Sequence, residues 1–450
     1  MVSKNAVSSD PVMPVRGDRG AAGIDSKAAG WLQSMDRKRQ SGPHTDRLDI
    51  EGLSDETLAV HAGSGNDSAT GCVGTPIYQS TTFLLNDDQY RSFAQGYARD
   101  RFIYTRYGNP SQWSVQEKLA ALEGAESAVV FSSGMAAIAT TLMALLDPGG
   151  HVVASNELYG GTYNFLNMEL PNTGMSATLV DPRDYAAIEA AIQPNTQILY
   201  FETITNPLLK IVDLRRLGDI AARRGIRLVV DATFSTPIVT KPLRFGAHVV
   251  IHSATKYLNG HSDLVAGVAL GERKLVDQIW ARMLNFGGCL DPHACFMLER
   301  GLKTLAIRMQ AHARTALAVA SYLEAHPHVR RVYHPMLASH PDHRLAKEIM
   351  RCGTGNVTFE IEGGDDAALR LVDNMKLARS ATSLGGVESL ISLPFNSSHS
   401  SFTAKQRAEM GIMPGCIRLS AGIEDPQDLI RDLEQSFHII FSGRETINEK

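Results

Sequence analysis

Short apolar runs alternate with helix-like stretches through the middle of the chain. The runs at residues 198–201, 228–231, 249–252 and 264–270 are rich in Val, Ile and Leu and too short for independent helices. Such alternation is typical of strands in a parallel sheet that helices cover. Between about residues 113 and 306 the pattern therefore predicts an α/β fold with a mostly parallel sheet.

The pattern changes after residue 306. Residues 355–361 and 416–419 have β-type sequences, and Asp425-Pro426 combines an N-cap residue with a proline suited to the first helical turn. We expect a smaller α+β domain that ends with a helix.

Helical periodicity dominates residues 302–325 and predicts one long helix there. Three basic residues, Arg308, His312 and Arg314, are expected on its solvent face.

The first fifty residues differ in kind from the rest. Asp, Ser, Gly, Lys and Arg are mixed there and apolar residues are sparse, while Asp10, Asp18 and Asp25 argue against a basic transit peptide. We expect a disordered extension over residues 1–53 and an arm over 54–112. The large domain is expected at 113–306 and the C-terminal domain at 307–450.

Composition narrows the functional classes. The formal net charge is −4, with 44% hydrophobic and 20% charged residues, which is ordinary for a soluble enzyme and gives no basic surface for nucleic acid. No apolar run is long enough to span a membrane. The five cysteines lack the spacing of a zinc site or a disulfide framework, so we expect no metal and a cytoplasmic protein.

An amine and two hydroxyls follow one of the predicted strands, in Ser253-Ala254-Thr255-Lys256. Ligands bind parallel α/β proteins at the ends of such strands. Lys256 could form a Schiff base with a carbonyl there, and the Ser253 and Thr255 hydroxyls could donate to phosphate oxygens. A surface lysine after a strand would give the same short pattern, so the interpretation depends on neighbouring motifs.

Two further motifs support a cofactor site. Asp231 ends the run Ile226-Arg227-Leu228-Val229-Val230, where its carboxylate could bind the protonated ring nitrogen of pyridoxal phosphate (PLP), although a metal ligand or helix cap remains open. The apolar run 127–131 leads into Ser132-Ser133-Gly134-Met135 and a helix-like stretch. A strand, a Ser/Gly turn and a helix start together present backbone N–H groups that suit a phosphate.

These motifs occur in an order that resembles the Cys/Met-metabolism family of PLP enzymes, across about residues 54–437. The family contains cystathionine γ-synthases, cystathionine lyases, methionine γ-lyases and O-acylhomoserine sulfhydrylases. The segments that carry the resemblance are Tyr104-Thr105-Arg106-Tyr107-Gly108-Asn109-Pro110, Ser133-Gly134-Met135, Leu158-Tyr159-Gly160-Gly161-Thr162, Glu202-Thr203-Ile204-Thr205-Asn206-Pro207, Val230-Asp231-Ala232-Thr233, Ser253-Ala254-Thr255-Lys256-Tyr257, Ser383-Leu384-Gly385-Gly386-Val387-Glu388-Ser389-Leu390 and Arg418-Leu419-Ser420-Ala421-Gly422.

The resemblance implies a PLP-dependent aminotransferase-type fold (fold type I) and a role for each motif residue. Lys256 would bind PLP covalently and move protons, and Asp231 would pair with its ring nitrogen. Tyr159 would stack on the ring and assist the leaving group, while Asn206 would orient the ring hydroxyl. The phosphate would be held by Gly134, Met135, Ser253 and Thr255.

The resemblance also implies shared active sites and a substrate clamp. Tyr104 and Arg106 would complete the site of a neighbouring subunit, with Tyr104 also taking part in catalysis, in a homo-oligomer expected to be a tetramer. Arg418, helped by Ser383, would bind the α-carboxylate of a small amino-acid substrate.

Departures from the family pattern bear on the substrate. Methionine γ-lyases usually carry Cys where Gly161 stands, and a Lys-Asp pair in the loop that here reads Met283-Leu284-Asn285-Phe286. Cystathionine enzymes often have acids near the places of Phe102-Ile103 and Thr382, which would recognise a distal amino group. None of these features is present here.

We therefore expect γ-carbon chemistry on an activated homoserine or sulfur amino acid. The segment from Leu158 to Thr162 favours γ-replacement of the cystathionine γ-synthase type. The alternative is γ- or β-elimination that gives a 2-oxo acid and ammonia. A non-catalytic PLP-binding regulator is less favoured, because every chemical position is filled.

Overall fold

Two β-sheets with helices packed against them make up the part of the chain that the computed structural model describes, residues 49–64, 70–94, 99, 101–400 and 402–442. The expected disordered extension lies almost entirely outside those residues. In chain order the strands are β1 (Ser127–Phe131), β2 (His151–Ser155), β3 (Ser176–Val180), β4 (Thr196–Glu202), β5 (Arg227–Asp231), β6 (Val249–His252), β7 (Gly267–Gly271), β8 (Val329–Tyr333), β9 (Asn356–Ile361), β10 (Arg379–Ser380), β11 (Leu390–Ser392) and β12 (Cys416–Ser420).

The α-helices flank these strands. In chain order they are α1 (Asp55–His61), α2 (Asp87–Ala94), α3 (Pro110–Glu123), α4 (Gly134–Leu145), α5 (Gly160–Asn164), α6 (Tyr185–Ala190), α7 (Leu214–Arg224), α8 (Thr236–Val239), α9 (Arg273–Phe286), α10 (Pro292–Leu302), α11 (Leu305–Glu324), α12 (His343–Ile349), α13 (Gly364–Asn374), α14 (Ala404–Glu409) and α15 (Pro426–Phe441).

The larger sheet has seven strands in the order β1-β7-β6-β5-β4-β2-β3. Every neighbouring pair is parallel except the two that involve β7. Strands β1, β2, β6 and β7 are buried at every residue, because helices cover both faces and apolar runs without alternation satisfy that environment. The predicted mostly parallel α/β sheet is confirmed.

Strand β7 begins three residues later than the apolar run that predicted it, at Gly267 instead of Leu264. The backbone of Ala266 is already engaged, since its N–H donates to Thr255 Oγ1 at 2.9 Å and its carbonyl accepts from Thr255 N–H at 3.2 Å. The apolar residues before Gly267 therefore belong to the loop that holds Thr255.

The smaller sheet has five strands in the order β10-β11-β12-β9-β8 and is antiparallel except for the β10–β11 pair. Its core includes Phe359, Ile417, Leu419 and Phe437. The closing helix α15 starts where the sequence predicts it, with the Asp425 carboxylate accepting from the Gln427 N–H at 2.8 Å. This arrangement agrees with the expected α+β C-terminal part.

Helix α11 forms as predicted, but the prediction of its solvent face is wrong for two residues. Arg308 is buried and donates to the Tyr257 and Gly301 carbonyls, each at 2.7 Å. His312 is also buried and lies 2.8 Å from the Ala421 carbonyl. The helix is enclosed on this face too, and its basic side chains satisfy backbone carbonyls of neighbouring segments.

The carboxyl ends of β1, β2, β4, β5 and β6 all point to the same edge of the larger sheet, because these strands run in one direction. Such an edge is where α/β proteins bind ligands. The segments that follow these strands contain the predicted phosphate turn and Tyr159, Asn206, Asp231 and Lys256.

Candidate active site

Lys256 lies in the turn after β6, and its amine donates to Ser383 Oγ at 2.7 Å. Burial, helped by the nearby positive charge of Arg418, lowers the pKa of Lys256 from 10.5 to about 8. The backbone of Ser383 has a φ of 107°, a value that residues other than glycine rarely adopt. The surrounding structure therefore holds Ser383 in this conformation. The lysine is therefore fixed in position and partly neutral near physiological pH.

Asp231 ends β5 and is buried. Its Oδ1 accepts from the Thr233 N–H at 2.9 Å and the Thr233 hydroxyl at 2.5 Å, while Oδ2 has only the Tyr200 hydroxyl at 3.4 Å. Burial raises the pKa of this carboxyl, and within the described residues it forms no salt bridge. One oxygen of a buried acid is thus available to a cationic N–H donor such as a protonated pyridine.

Thr233 ends the Val230-Asp231-Ala232-Thr233 segment, and the sequence indicates no role for it. Its hydroxyl donates to Asp231 and accepts from the Ser253 N–H at 2.8 Å. It therefore connects the ends of β5 and β6, the two strands that position Asp231 and Lys256. The sequence feature that could have identified Thr233 is its position two residues after Asp231, in the turn that follows β5.

Thr233→Val is expected to raise the dissociation constant of PLP about tenfold, because both hydrogen bonds of the hydroxyl are lost in a largely buried setting. Thr233→Ser keeps the hydroxyl and serves as the control, with a dissociation constant close to that of the unmodified chain. Titration of each variant with PLP, followed by visible absorbance, measures this. Equal affinities of the Val and Ser variants would show that the bridge has no such role.

The predicted phosphate turn brings the start of α4 against Ser253. A Cβ on Gly134 would lie 2.8 Å from Ser253 Cβ and Oγ, so only glycine permits this approach. Ser133 caps the helix by accepting from the Ala136 N–H at 3.0 Å, which leaves the Gly134 and Met135 N–H groups at the helix start. The cradle suits a phosphate.

The Thr255 hydroxyl has a backbone partner that the sequence did not indicate. It donates to the Ala266 carbonyl at 3.1 Å and accepts from the Ala266 N–H. Its role in phosphate binding stays a prediction, because the hydroxyl would have to rotate away from the Ala266 carbonyl or share its hydrogen between that carbonyl and the phosphate.

Arg418 lies on β12 of the smaller sheet and reaches the larger one. Its Nη1 donates to Asn206 Oδ1 at 2.9 Å and its Nη2 donates to the Ser383 carbonyl at 3.0 Å, while the buried Nε has no hydrogen-bond partner. Burial lowers the pKa of Arg418 to about 10. A buried cation without a carboxylate partner in the described part of the chain suits the α-carboxylate of an amino acid.

Tyr159 follows β2 and remains about half exposed, at 53%. Its backbone N–H donates to Glu202 Oε1 at 2.6 Å, a contact that the sequence did not indicate. The exposed ring leaves a face on which a flat cofactor can stack.

The contacts of Tyr104 and Arg106 are with Thr82 and with helix α9. Tyr104 forms a bridge with Thr82, and Arg106 Nη1 donates to the Leu284 carbonyl of α9 at 2.5 Å. The guanidinium lies 5.9 Å from the Tyr104 ring. Their role in a neighbouring subunit's site stays a prediction.

The donor set fits PLP. An amine of lowered pKa, an acid with one oxygen that has only a single long hydrogen bond and a glycine-permitted phosphate cradle lie at one sheet edge, and a buried Arg lies beside them. When bound, PLP supplies an electron sink that stabilises negative charge next to the substrate's amino group. The site defines a PLP-dependent enzyme of fold type I.

Comparison with known proteins agrees with this class. The family described as Cys/Met metabolism PLP-dependent enzyme matches residues 56–438, and the chain belongs to that family. L-methionine gamma-lyase of Porphyromonas gingivalis is 42% identical over 84% of this chain and 95% of its own. Cystathionine gamma-synthase 1, chloroplastic, of Nicotiana tabacum is 39% identical over 86% of this chain and 72% of its own.

A solved structure shows the same fold. Cystathionine gamma-lyase from Lactobacillus plantarum, complexed with L-serine, has a TM-score of 0.81 and 37% identity, over 86% of this chain and 99% of its own. The chain is therefore an enzyme of Cys/Met metabolism that uses PLP, related to both γ-lyases and γ-synthases.

The described residues have three further properties. No group of three or more His, Cys, Asp or Glu side chains within those residues could hold a metal ion. The five cysteines are free thiols. Within the described ranges, no helix has the length and apolar character needed to cross a membrane.

The rate at which Lys256 of the apoprotein captures PLP is expected to rise with pH through about 8. The neutral amine is the nucleophile, and its fraction grows as pH passes its lowered pKa. Stopped-flow visible absorbance over a pH series measures this rate. In Arg418→Met a repelling positive charge is lost, so the midpoint should move upward, toward the ordinary lysine value; a midpoint that stays or falls would contradict the assigned cause.

Proposed function

We propose that this enzyme catalyses γ-replacement, in which a thiol displaces an activated substituent from the γ-carbon of a homoserine-type amino acid. The sulfur–carbon bond forms, the bond from carbon to the leaving group breaks, and the thiol proton leaves with that group. Membership of the family supports chemistry at this carbon but does not separate replacement from elimination.

The observation that carries the proposal is the packing of Gly161. A Cβ there would lie 2.6 Å from Tyr159 Cε1 and 2.9 Å from Met135 Sδ. The cysteine usual in methionine γ-lyases therefore cannot be placed without moving two residues that are expected to hold the cofactor. The segment that contains Gly161 resembles that of the synthases and sulfhydrylases.

Residues 283–286 are also unlike the corresponding segment of methionine γ-lyases. Residues 283–286 form the last turn of α9, which corrects the expectation of a loop. Met283 is buried there, and the Leu284 carbonyl accepts from Arg106. No charged pair of the Lys-Asp kind is available at this position.

The two places where cystathionine enzymes often carry acids are not acidic in this chain, which has Phe102-Ile103 and Thr382 there. Phe102 packs edge-on against Trp113 with ring centroids 5.4 Å apart, and Thr382 is exposed. A substrate with an uncharged γ-substituent, such as an O-acyl-homoserine, fits these surroundings.

In this proposal separate residues of the chain bind the substrate and transfer the protons. Arg418 binds the α-carboxylate, and the Lys256 amine, oriented by Ser383, takes the α-proton and returns protons later. The half-exposed Tyr159 ring would cover the reacting group, and its hydroxyl would protonate the departing substituent.

The purified enzyme with O-acyl-homoserine tests the proposal when cysteine, sulfide or no thiol is added. We expect a thioether or thiol product that requires the nucleophile. Cystathionine and methionine are tested in parallel, because 42% identity to a methionine gamma-lyase favours elimination as the second candidate. Steady release of 2-oxobutyrate without any thiol would replace the proposal with the lyase function.

Gly161→Ala is expected to weaken PLP binding and lower kcat about fivefold, because the added methyl must displace the outer end of the Tyr159 ring or of the Met135 side chain, at a cost near the lower end of about 1–3 kcal/mol. The matched control is Gly160→Ala, whose Cβ would meet only the Ser398 carbonyl oxygen at 3.5 Å, an ordinary contact. Kinetics and PLP titration of both variants measure the difference. Indistinguishable variants would remove the packing argument.

A further inference from the structure

Two buried acids lie side by side at the cofactor edge of the larger sheet. Glu202 ends β4 and Asp231 ends β5, and the two residues are register partners in that strand pair. Each residue is only 6% exposed. The family resemblance assigned a role to Asp231 and none to Glu202.

The surroundings of this pair offer few compensating charges. Glu157, the next acid, is paired with Lys210, and His252 lies 3.1 Å from the buried Glu123. Tyr200 contributes a hydroxyl, which donates to Asp231. Among the described residues, Glu202 forms an ion pair neither with these groups nor with any other charged side chain.

The hydrogen bonds of the two acids differ. Asp231 accepts three, including two from Thr233, and such donors favour the ionised form. Glu202 accepts from the Tyr159 N–H at 2.6 Å, so its side chain fixes the backbone of the predicted stacking residue.

We propose that Glu202 is a positioning residue that acts as a neutral carboxylic acid: its Oε1 holds the Tyr159 backbone in place while the charge of the pair resides on Asp231. Two carboxylates this close and this buried do not both ionise, so the pair keeps one proton. Burial and the neighbouring charge of Asp231 raise the pKa of Glu202 well above its ordinary value, which is consistent with the proton residing there.

A neutral Glu202 determines which charge faces the cofactor ring. A second ionised acid beside Asp231 would hold a proton on the cofactor ring nitrogen more strongly and would also repel the Asp231 charge. With Glu202 neutral, Asp231 alone sets the charge that faces the ring. The proposal rests on PLP dependence of the family and is independent of whether the reaction is replacement or elimination.

Two substitutions at Glu202 separate the effect of side-chain length from the effect of charge. Glu202→Gln keeps an oxygen at the same distance and cannot ionise, whereas Glu202→Asp keeps the acid but is one methylene too short for the Tyr159 N–H. Full-length holoenzymes are compared by the visible circular dichroism of bound PLP, by its pH dependence between pH 6 and about 9, and by the PLP dissociation constant. Far-ultraviolet circular dichroism reports whether each variant is folded.

We expect Glu202→Gln to retain the visible dichroism, its pH dependence and a dissociation constant within about threefold, since the neutral amide replaces a neutral acid. Glu202→Asp should lose the dichroic signal in large part and bind PLP about tenfold or more weakly. The reverse ranking would show that Glu202 acts as an anion. Two deficient variants, or two that resemble the unmodified enzyme, would equally overturn the proposal.

Discussion

Lys256→Ala is expected to lower kcat/KM by at least about a thousandfold, the upper range for loss of a positioned acid–base group, and to abolish the covalent link to PLP. The amine is the one that lies 2.7 Å from Ser383 Oγ with its pKa lowered to about 8. Steady-state kinetics and the visible spectrum after gel filtration measure both effects.

The control for this variant is Lys274→Ala, at the exposed start of α9. It removes the same charge and length of side chain at a place without contact to the site. Activity of Lys256→Ala at more than a few per cent of that control would place the acid–base group elsewhere.

Asp231→Asn is expected to lower kcat about a hundredfold or more, the range found when one preorganised electrostatic group is removed. The amide has the shape of the carboxylate but no charge, so a protonated ring nitrogen loses its counter-ion in a buried site. The visible spectrum of bound PLP should change its pH dependence together with the loss of kcat.

Asp231→Glu is the comparison variant, since it keeps the charge and alters only its distance. We expect it to retain more activity than Asp231→Asn, although it has to accommodate an extra methylene. An Asn variant that equals or exceeds the Glu variant would mean that hydrogen bonding, and not charge, is what Asp231 contributes.

The parallel sheet, and the edge of it that carries the predicted site residues, could be predicted from the sequence because the strands are apolar along their whole length. Asp231 and the Ser253–Lys256 motif then stand out as polar groups where apolar runs end. The order of the motifs along the chain also indicated the family, and the family match over residues 56–438 confirms it.

The solvent face of α11 could not be predicted by the same reasoning. Periodicity detects one apolar stripe, but it does not reveal that segments around Tyr257 and Ala421 cover the polar side. Arg308 and His312 are buried because these segments present carbonyl groups to them, and such contacts join residues far apart in the chain.

Glu202 and Thr233 were missed for a related reason. Each was visible as part of a quoted motif, but an acid after a strand and a threonine in a turn have many ordinary explanations. The roles proposed for them depend on strand register, which brings Glu202 beside Asp231, and on the hydroxyl that bridges β5 to β6.

The choice between replacement and elimination depends on subtler packing. Gly161 marks a difference from the usual methionine γ-lyase pattern, and its contact with Tyr159 gives that difference a physical consequence. In replacement the γ-carbon gains a bond to the thiol sulfur, whereas in elimination it gains a proton and water later releases the nitrogen at the α-carbon as ammonia. The assay with and without a thiol measures which product forms.

The most direct test of the whole account is borohydride reduction of the purified enzyme, followed by proteolysis and mass spectrometry. A single peptide with a reduced phosphopyridoxyl group on the side-chain nitrogen of Lys256 is the predicted result. A colourless protein that acquires no adduct, or an adduct on a different lysine, would contradict the account.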